Sequence, residues 1–469
     1  MAEKDQSRFA KAVPFVLAAI AIAAVAYFLI KAPEESPLGT ETEATDADGG
    51  LEDDEITPRC REVGAKRYRI GKASHVSDAG EEEEPEPFGV EVGRSAALSN
   101  GYAVGVRRED KGSLAEVVVL DARAEQGKVF SLGRSRGDMD PPIVRPRGKD
   151  WAAAMLEPHA GGLALRLASH EGDKVVWGAE LEQGADESLA YDIAFNGKVG
   201  VVTWDDVTED GKRGRIMLAT VDAKNLKKQD EPIEVSSENV DAELPRLVSR
   251  RGGFWLAYSA RSRSPQKTQS VDAGDPDRFA AERIEPSWIE LVALDASGKL
   301  DGTAQAVTAK DGFVLAFDLE LGKGDSALLA WRDDDTPTGA GGGRLTLILV
   351  GTSGSSQRQP IAAENLGAGA PVLMPKWLAI SDGEGNSQLA PVGDDGDLEG
   401  ELRRETLVGG GQFLATRGSE LLVARPQGRA MEFLVLSCTR EAAPDAGAAP
   451  AQTPKNEDAV EPAKDEEPP

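Results

Sequence analysis

Between Tyr102 and Cys438 short apolar runs recur at a nearly constant distance, separated by polar stretches rich in Gly, Asp and Asn. One kind of run has four mostly small or β-branched residues and then a position that is often aromatic. It reads YAVGV ending at Val106, WAAAM at Met155, GVVTW at Trp204, FWLAY at Tyr258, ALLAW at Trp331, KWLAI at Ile380 and QFLAT at Thr416. The end positions lie 49, 49, 54, 73, 49 and 36 residues apart. The longest interval holds a polar, loop-like insertion, residues 261–286, and removing it leaves 47.

Each run follows a shorter apolar one, such as DIAF before Trp204, PRLVS before Tyr258 and LAFDLEL before Trp331. Each precedes an alternating one, such as AEVVVLDA, RIMLATVDA, WIELVALDASG, RLTLILVGTSG and MEFLVLSC. A fourth short run (VFSLG, PIEVS, AQAVT, QPIAA) usually completes the unit. Alternation bounded by turn residues predicts strands. Four short strands repeated every 40 to 50 residues, without helical periodicity, predict the blades of a β-propeller. Seven units predict an all-β, seven-bladed propeller over residues 58–440.

The seventh unit, ETLVGGGQFLATRGSELLVARPQGRAMEFLVLSCTR, contains only three strands. The missing outer strand is available before the first unit, and Tyr68–Ala73 is predicted to supply it, leaving no sheet edge open. In that arrangement Cys438 ends one strand and Cys60 stands at the start of its antiparallel neighbour, so the two can approach within bonding range. A disulfide across 378 residues restricts the unfolded chain by roughly 5 to 6 kcal/mol in the entropy model. Two thiols buried separately are the alternative.

The units ELPRLVSRRGGFWLAYSA and WIELVALDASGKL resemble those of bacterial exported β-propeller repeat proteins. The resemblance is one of architecture across residues 58–440, and it implies a binding or assembly platform more often than a defined enzyme. It stops short of a subfamily: the chain has no S-x-D-x-G-x-x-W sialidase box, no G-H and W-D pairing, and no regular Gly-Gly kelch pattern.

Ala12–Ile30 is a 19-residue stretch without a charge, long enough for one bilayer-spanning helix. Lys4, Arg8 and Lys11 precede it and acidic sequence follows Lys31, so residues 1–11 are placed in the cytoplasm and the remainder in the periplasm or outside the cell. The chain is thus expected to be a single-pass membrane protein with an uncleaved signal anchor. Ala24-Val25-Ala26 fits a signal-peptidase site, and a cleaved, secreted form is the alternative. Residues 31–57 and 441–469, rich in Glu, Asp, Thr, Pro and Ala, have the composition of a disordered tether and a disordered tail.

A formal charge of −28 sets nucleic acid aside as a partner and favours cationic ones. In a propeller the loops joining second to third strands share one face with the connections between blades. That face gathers Asp205, Asp206, Asp333, Asp334 and Asp335. These acidic residues either keep an exported protein soluble or bind a cationic ligand, an envelope protein or a divalent metal. Asp395, Asp397 and Glu399 resemble the first half of a Ca²⁺ loop, but Thr406 stands where the bidentate Glu belongs, which also fits a solvated hairpin turn. No cofactor is predicted apart from that Ca²⁺ site.

Catalytic motifs are thin. His75, His159 and His170 lack ligand spacing, and there is neither a G-x-S-x-G elbow nor a P-loop. Trp204 and Trp331 read as blade core. The sequence therefore predicts a membrane-anchored, extracytoplasmic propeller that binds a protein or another ligand through its acidic loop face. A glycan-active hydrolase or lyase with carboxylates at the central channel is the alternative. An enzyme of that kind needs two carboxylates in one deep pocket.

Overall fold

The computed structural model describes residues 60–71, 89–109, 112–137, 139–159, 162–185, 189–262, 286–333, 343–351, 354–355, 359–361, 369–381, 387–428 and 430–439. The chain divides into two units, Met1–Ile56 and Thr57–Pro469, and every described residue belongs to the second. Ala12–Ile30, the stretches 31–57 and 441–469, His75 and most of the 261–286 insertion lie outside the described residues. Among the described residues no helix is long and apolar enough to cross a membrane.

The strands form seven separate antiparallel sheets, each ordered from an innermost to an outermost strand. The innermost strands are Val90–Val92 with Ala96–Leu98, Ile143–Arg147, Tyr191–Asn196, Val240–Arg250, Val314–Leu321, Pro371–Met374 and Gln412–Arg417, one set for each of blades one to seven. The second strands in blades one to six are Gly101–Glu109, Asp150–His159, Val199–Val207, Gly253–Ser262, Ala327–Asp333 and Trp377–Ser381, and each contains the apolar run read from the sequence, except that in blade six Lys376 falls in the preceding turn. In blade seven QFLAT instead belongs to the innermost strand, and the second strand is Glu420–Gln427. There Arg425 stands opposite Glu432 as Trp331 stands opposite Thr346. The true interval from Ile380 is therefore 45 residues, and the irregular spacing disappears. The landmark was missed because a guanidinium replaces the aromatic ring at that position.

Seven apolar clusters hold the ring together, each shared by two neighbouring blades. Blades two and three, for example, meet through Leu165, Leu167, Trp204 and Ala219, and blades seven and one through Phe433, Val435, Tyr102 and Val118. Trp204 and Trp331 are buried in such clusters, as read from the sequence. Each sheet is thus covered on both faces, which explains why the second and third strands are apolar at nearly every position rather than alternating.

Blade seven is completed by Cys60–Ile70, its outermost strand, paired with Ala430–Cys438. Of the predicted Tyr68–Ala73, Tyr68 to Ile70 pair, Gly71 leaves the ladder, and the pairing begins earlier, at Cys60. Cys60 and Cys438 are opposite each other in the register and joined by a disulfide. Inside the same junction the buried Glu432 accepts Arg425 Nη2 at 2.6 Å and pairs with Arg67 Nη1 at 2.9 Å and Arg69 Nη2 at 2.7 Å. Burial opposes its charge, but the three guanidiniums outweigh it and hold the carboxyl below its usual range.

Candidate functional site: an arginine-bearing central channel

All seven innermost strands line one axial channel with a cavity volume of about 510 Å³, within the range of small-molecule sites. Arg94, Arg145, Asp318 and Glu320 are its ionisable lining residues among those described, and Asp192 and Arg246 stand against them. In register with the second strands, Asp192 pairs with Thr203, Arg246 with Ala257 and Asp318 with Ala330, each one residue before the aromatic landmark of its blade. Arg145 and Glu320 pair with Ala152 and Leu328, one layer further along the inner strands. Arg94 sits between the two short inner strands of blade one, where Gly93 and Gly105 are hemmed by the Pro142 carbonyl. A Cβ on Gly105 would lie 1.8 Å from that oxygen, so only glycine lets blade two begin so close. The resulting contact is the Val144 N–H donating to the Arg94 carbonyl at 2.8 Å.

Three guanidiniums share two fully engaged carboxylates. Asp192, wholly buried, receives the Arg145 fork: Nη2 lies 2.9 Å from both oxygens and Nε 3.1 Å from Oδ1. It also accepts the Ile193 and Leu247 N–H groups at 2.9 and 3.1 Å. Burial favours its neutral form, yet Arg145, Arg94 and Arg246 prevail and its pKa is lowered. Asp318 accepts the N–H groups of Leu319 and Leu373, both at 2.9 Å, and Arg94 Nη2 in a short ion pair. Arg94 also places Nη1 3.5 Å from Asp192, so this one side chain connects blade one to blades three and five across the channel. Burial works against the charge of Arg94, but Asp318 and Asp192 outweigh it and raise its pKa.

Arg246 is the cation left short of charge. Its nearest carboxylate oxygen, on Asp318, is 3.9 Å from Nε, which is buried without a hydrogen-bond partner. Nη1 donates to the carbonyl of its own neighbour Pro245 at 3.0 Å, and the guanidinium lies 6.0 Å from the Phe317 ring centre. Burial, reinforced by the like charge of Arg94, pushes its pKa down to about 10. A cation destabilised in this way has unused capacity for an anion.

Glu320 differs from the two aspartates. Its Oε1 accepts the Leu321 N–H at 2.8 Å, and no ion pair reaches it among the described residues. The channel lining around it mixes the apolar Ala194, Val248, Met374 and Leu414 with Arg94, Arg145 and Asp318. Burial pushes its pKa up to about 7, only partly offset by the Leu321 N–H, Arg145 and Arg94, with Asp318 adding to the rise.

The residues expected to bind from the loop face are occupied with internal work where they are described. Asp205 accepts the Ala190 N–H at 2.7 Å and the Leu244 N–H at 3.0 Å, tying blade three to blade four, and burial raises its pKa despite those bonds. Asp206 holds Arg215 at 2.5 Å, and Asp333 lies 3.7 Å from Arg344. Asp334 and Asp335 lie outside the described residues. Asp395, Asp397 and Glu399 belong to the hairpin between the third and fourth strands of blade six, where Asp395 accepts the Asp397 N–H at 3.2 Å. No three His, Cys, Asp or Glu side chains converge in a metal-binding arrangement among the described residues. His170 stacks on Trp151 with ring centres 5.2 Å apart.

The channel residues were not singled out in the sequence, although a signal exists. Tyr191-Asp192-Ile193 and Phe317-Asp318-Leu319 place the same aromatic–Asp–aliphatic triplet in two inner strands, a charge where the pattern calls for an apolar residue.

No family model matches the chain, and no curated protein matches it. Among solved structures it is similar to an ulvan lyase (TM-score 0.48, 9% identity, covering 81% of this chain and 96% of that one). It is also similar to the polysaccharide lyase Uly1 (0.47, 10%, 81% and 99%). A third is the β-propeller domain of the Trilobed protease from Pyrococcus furiosus (0.45, 10%, 74% and 95%). At these identities the likeness concerns the fold alone.

Proposed function

We propose that the chain is an exported, membrane-anchored ligand-binding propeller whose site is the central channel, and that the ligand carries an anionic group. The observation that carries this reading is Arg246, a guanidinium beside the channel-lining Asp318 that has no carboxylate oxygen closer than 3.9 Å among the described residues. Export is supported by the Cys60–Cys438 disulfide, a bond that persists in oxidising compartments, and by the apolar stretch Ala12–Ile30. Asp205, Asp206 and Asp333 have internal partners and are not assigned the ligand.

A second reading, a glycan-active hydrolase or lyase, draws on Glu320, whose pKa near 7 suits a proton-transfer group. A hydrolase needs a second available carboxylate, and Asp192 and Asp318 are already engaged by backbone and guanidinium donors. Binding is therefore the better-supported reading. The test is a thermal-shift panel of small carboxylates, sulfates and phosphates beside neutral analogues, on the wild type and Arg246→Gln. Anions should raise the wild-type Tm and shift the variant far less. Equal shifts in both proteins, or none in either, would defeat the proposal. Release of sugar fragments from an acidic polysaccharide, lost in Glu320→Gln, would favour the second reading.

A further inference from the structure

Charge is distributed unevenly around the channel. Arg94, Arg145 and Arg246 come from blades one, two and four, and their carboxylate partners from blades three and five. Among the described residues, blades six and seven contribute no ionisable side chain to the lining, which there includes Val372, Met374 and Leu414 beside the uncharged polar Gln412 and Thr416. Val372 and Leu414 remain half-buried, so apolar surface is available to an occupant. Among the described residues the aromatic members of the lining are Phe195 and Phe413, with no tryptophan or tyrosine.

Resting on the reading of the channel as an anion-binding site, we propose that its ligand is a small organic acid with an apolar body. The carboxylate faces Arg246, and the body lies against Val372, Met374 and Leu414. A carboxylate offers the acceptor geometry that a guanidinium fork matches. The opposite wall has the reverse preference. A hydroxylated body placed there would exchange its many hydrogen bonds to water for those that Gln412 and Thr416 alone can offer on that wall, whereas each buried methylene improves binding by about fourfold. Cyclohexanecarboxylate and glucuronate separate the two cases, because both place a carboxylate on a six-membered ring and differ in the polarity of the body.

The experiment is a calorimetric titration of the full chain in lipid nanodiscs with each of these acids and with neutral cyclohexanecarboxamide, using empty nanodiscs as the blank. The expected result is that cyclohexanecarboxylate binds at least tenfold more tightly than glucuronate, and that the amide does not bind. Arg246→Gln should weaken the acid at least tenfold, and Leu414→Asn several-fold. Val372→Thr, nearly isosteric, gives the same comparison should Leu414→Asn fail to fold. Glucuronate binding as tightly as cyclohexanecarboxylate, or wall variants without effect, would overturn the apolar-body inference while leaving the channel an anion site. No binding of either acid would remove the channel reading itself.

Discussion

Asp192 and Leu247 stand 55 residues apart in the chain and in adjacent blades, joined by the Leu247 N–H donating to Asp192 Oδ2 at 3.1 Å. Asp318 and Leu373, also 55 apart, repeat the bond at 2.9 Å. In both aspartates Oδ1 holds the N–H of the following residue, so one carboxylate fixes its own strand and the start of the next blade. Blades one and two are joined at the corresponding place by backbone alone, through Val144 and Arg94. The junction of blades two and three is fastened from the channel side as well, by the Arg145 guanidinium on Asp192.

Removing one of these carboxylates leaves a guanidinium and two backbone donors without their partner in a buried place. Asp192→Ala should destabilise the propeller by about 3–5 kcal/mol, and Asp192→Asn, which keeps an acceptor oxygen, by less. Asp318→Ala should behave likewise. Because Arg94 touches both aspartates, the double variant should lose less than the sum of the single losses. Urea unfolding of the four proteins checks this, and strict additivity would show that Arg94 does not couple them.

The disulfide joins the first residue of the closing strand to the last residue of its partner. Replacing both cysteines with serine should lower stability by up to about 6 kcal/mol in the entropy model, given the 378-residue separation. The loss should be concentrated at the closure, with hydrogen exchange of Cys60–Ile70 accelerating before that of Val199–Val207. Uniform acceleration across both strands would mean that the ring opens only as a whole.

The blade repeat, the closure and the disulfide were legible because each rests on a pattern along the chain: alternation, spacing, and a missing fourth strand matched by a spare one. The site was not, because its residues come from five blades and are brought together by ring closure. Arg94 and Asp318 are 224 residues apart and meet only across the channel. The acidic loops drew attention through their local charge density, yet Asp206 and Asp205 are satisfied by a cross-strand arginine and by backbone N–H groups, partners that depend on register. Thr416 imitates a second-strand landmark in the sequence because Arg425, at the true position, pairs with Glu432 where other blades carry a ring or an apolar side chain.

Glu432 makes the closure sensitive to acid. Its pKa is lowered in the folded protein, so its stabilising contribution is present above the ordinary glutamate range and is lost as pH falls through the lowered value. With the cysteines replaced, limited proteolysis within residues 60–70 should begin at a higher pH than cleavage elsewhere in the propeller. Glu432→Gln should expose that strand already at neutral pH. Protection of the strand at neutral pH in this variant would show that backbone pairing alone holds it.

Glu320 has the opposite sign. Its folded-state pKa is raised from the ordinary 4.5 to about 7, so the folded protein binds the proton more tightly than the unfolded chain does. Its favourable contribution is complete below 4.5 and is lost as pH rises to about 7, after which a desolvated charge stands in the channel. Glu320→Gln, a permanent analogue of the neutral form, should match the wild type near pH 4 and exceed it above pH 7 by on the order of 1 to 3 kcal/mol. The same charge opposes an anion in the channel. Arg145 and Arg94 attract the Glu320 carboxylate, Asp318 repels it, and Asp192 and Arg246 complete the surrounding charges. The pKa of Asp192 is lowered, that of Arg94 is raised and that of Arg246 stands at about 10, whereas that of Glu320 lies near neutrality, so it is Glu320 that changes the balance there. Carboxylate affinity should therefore fall as pH rises through 7 in the wild type and stay level in Glu320→Gln. Parallel pH profiles for the two proteins would show that the proton on Glu320 and the channel's occupant are not coupled.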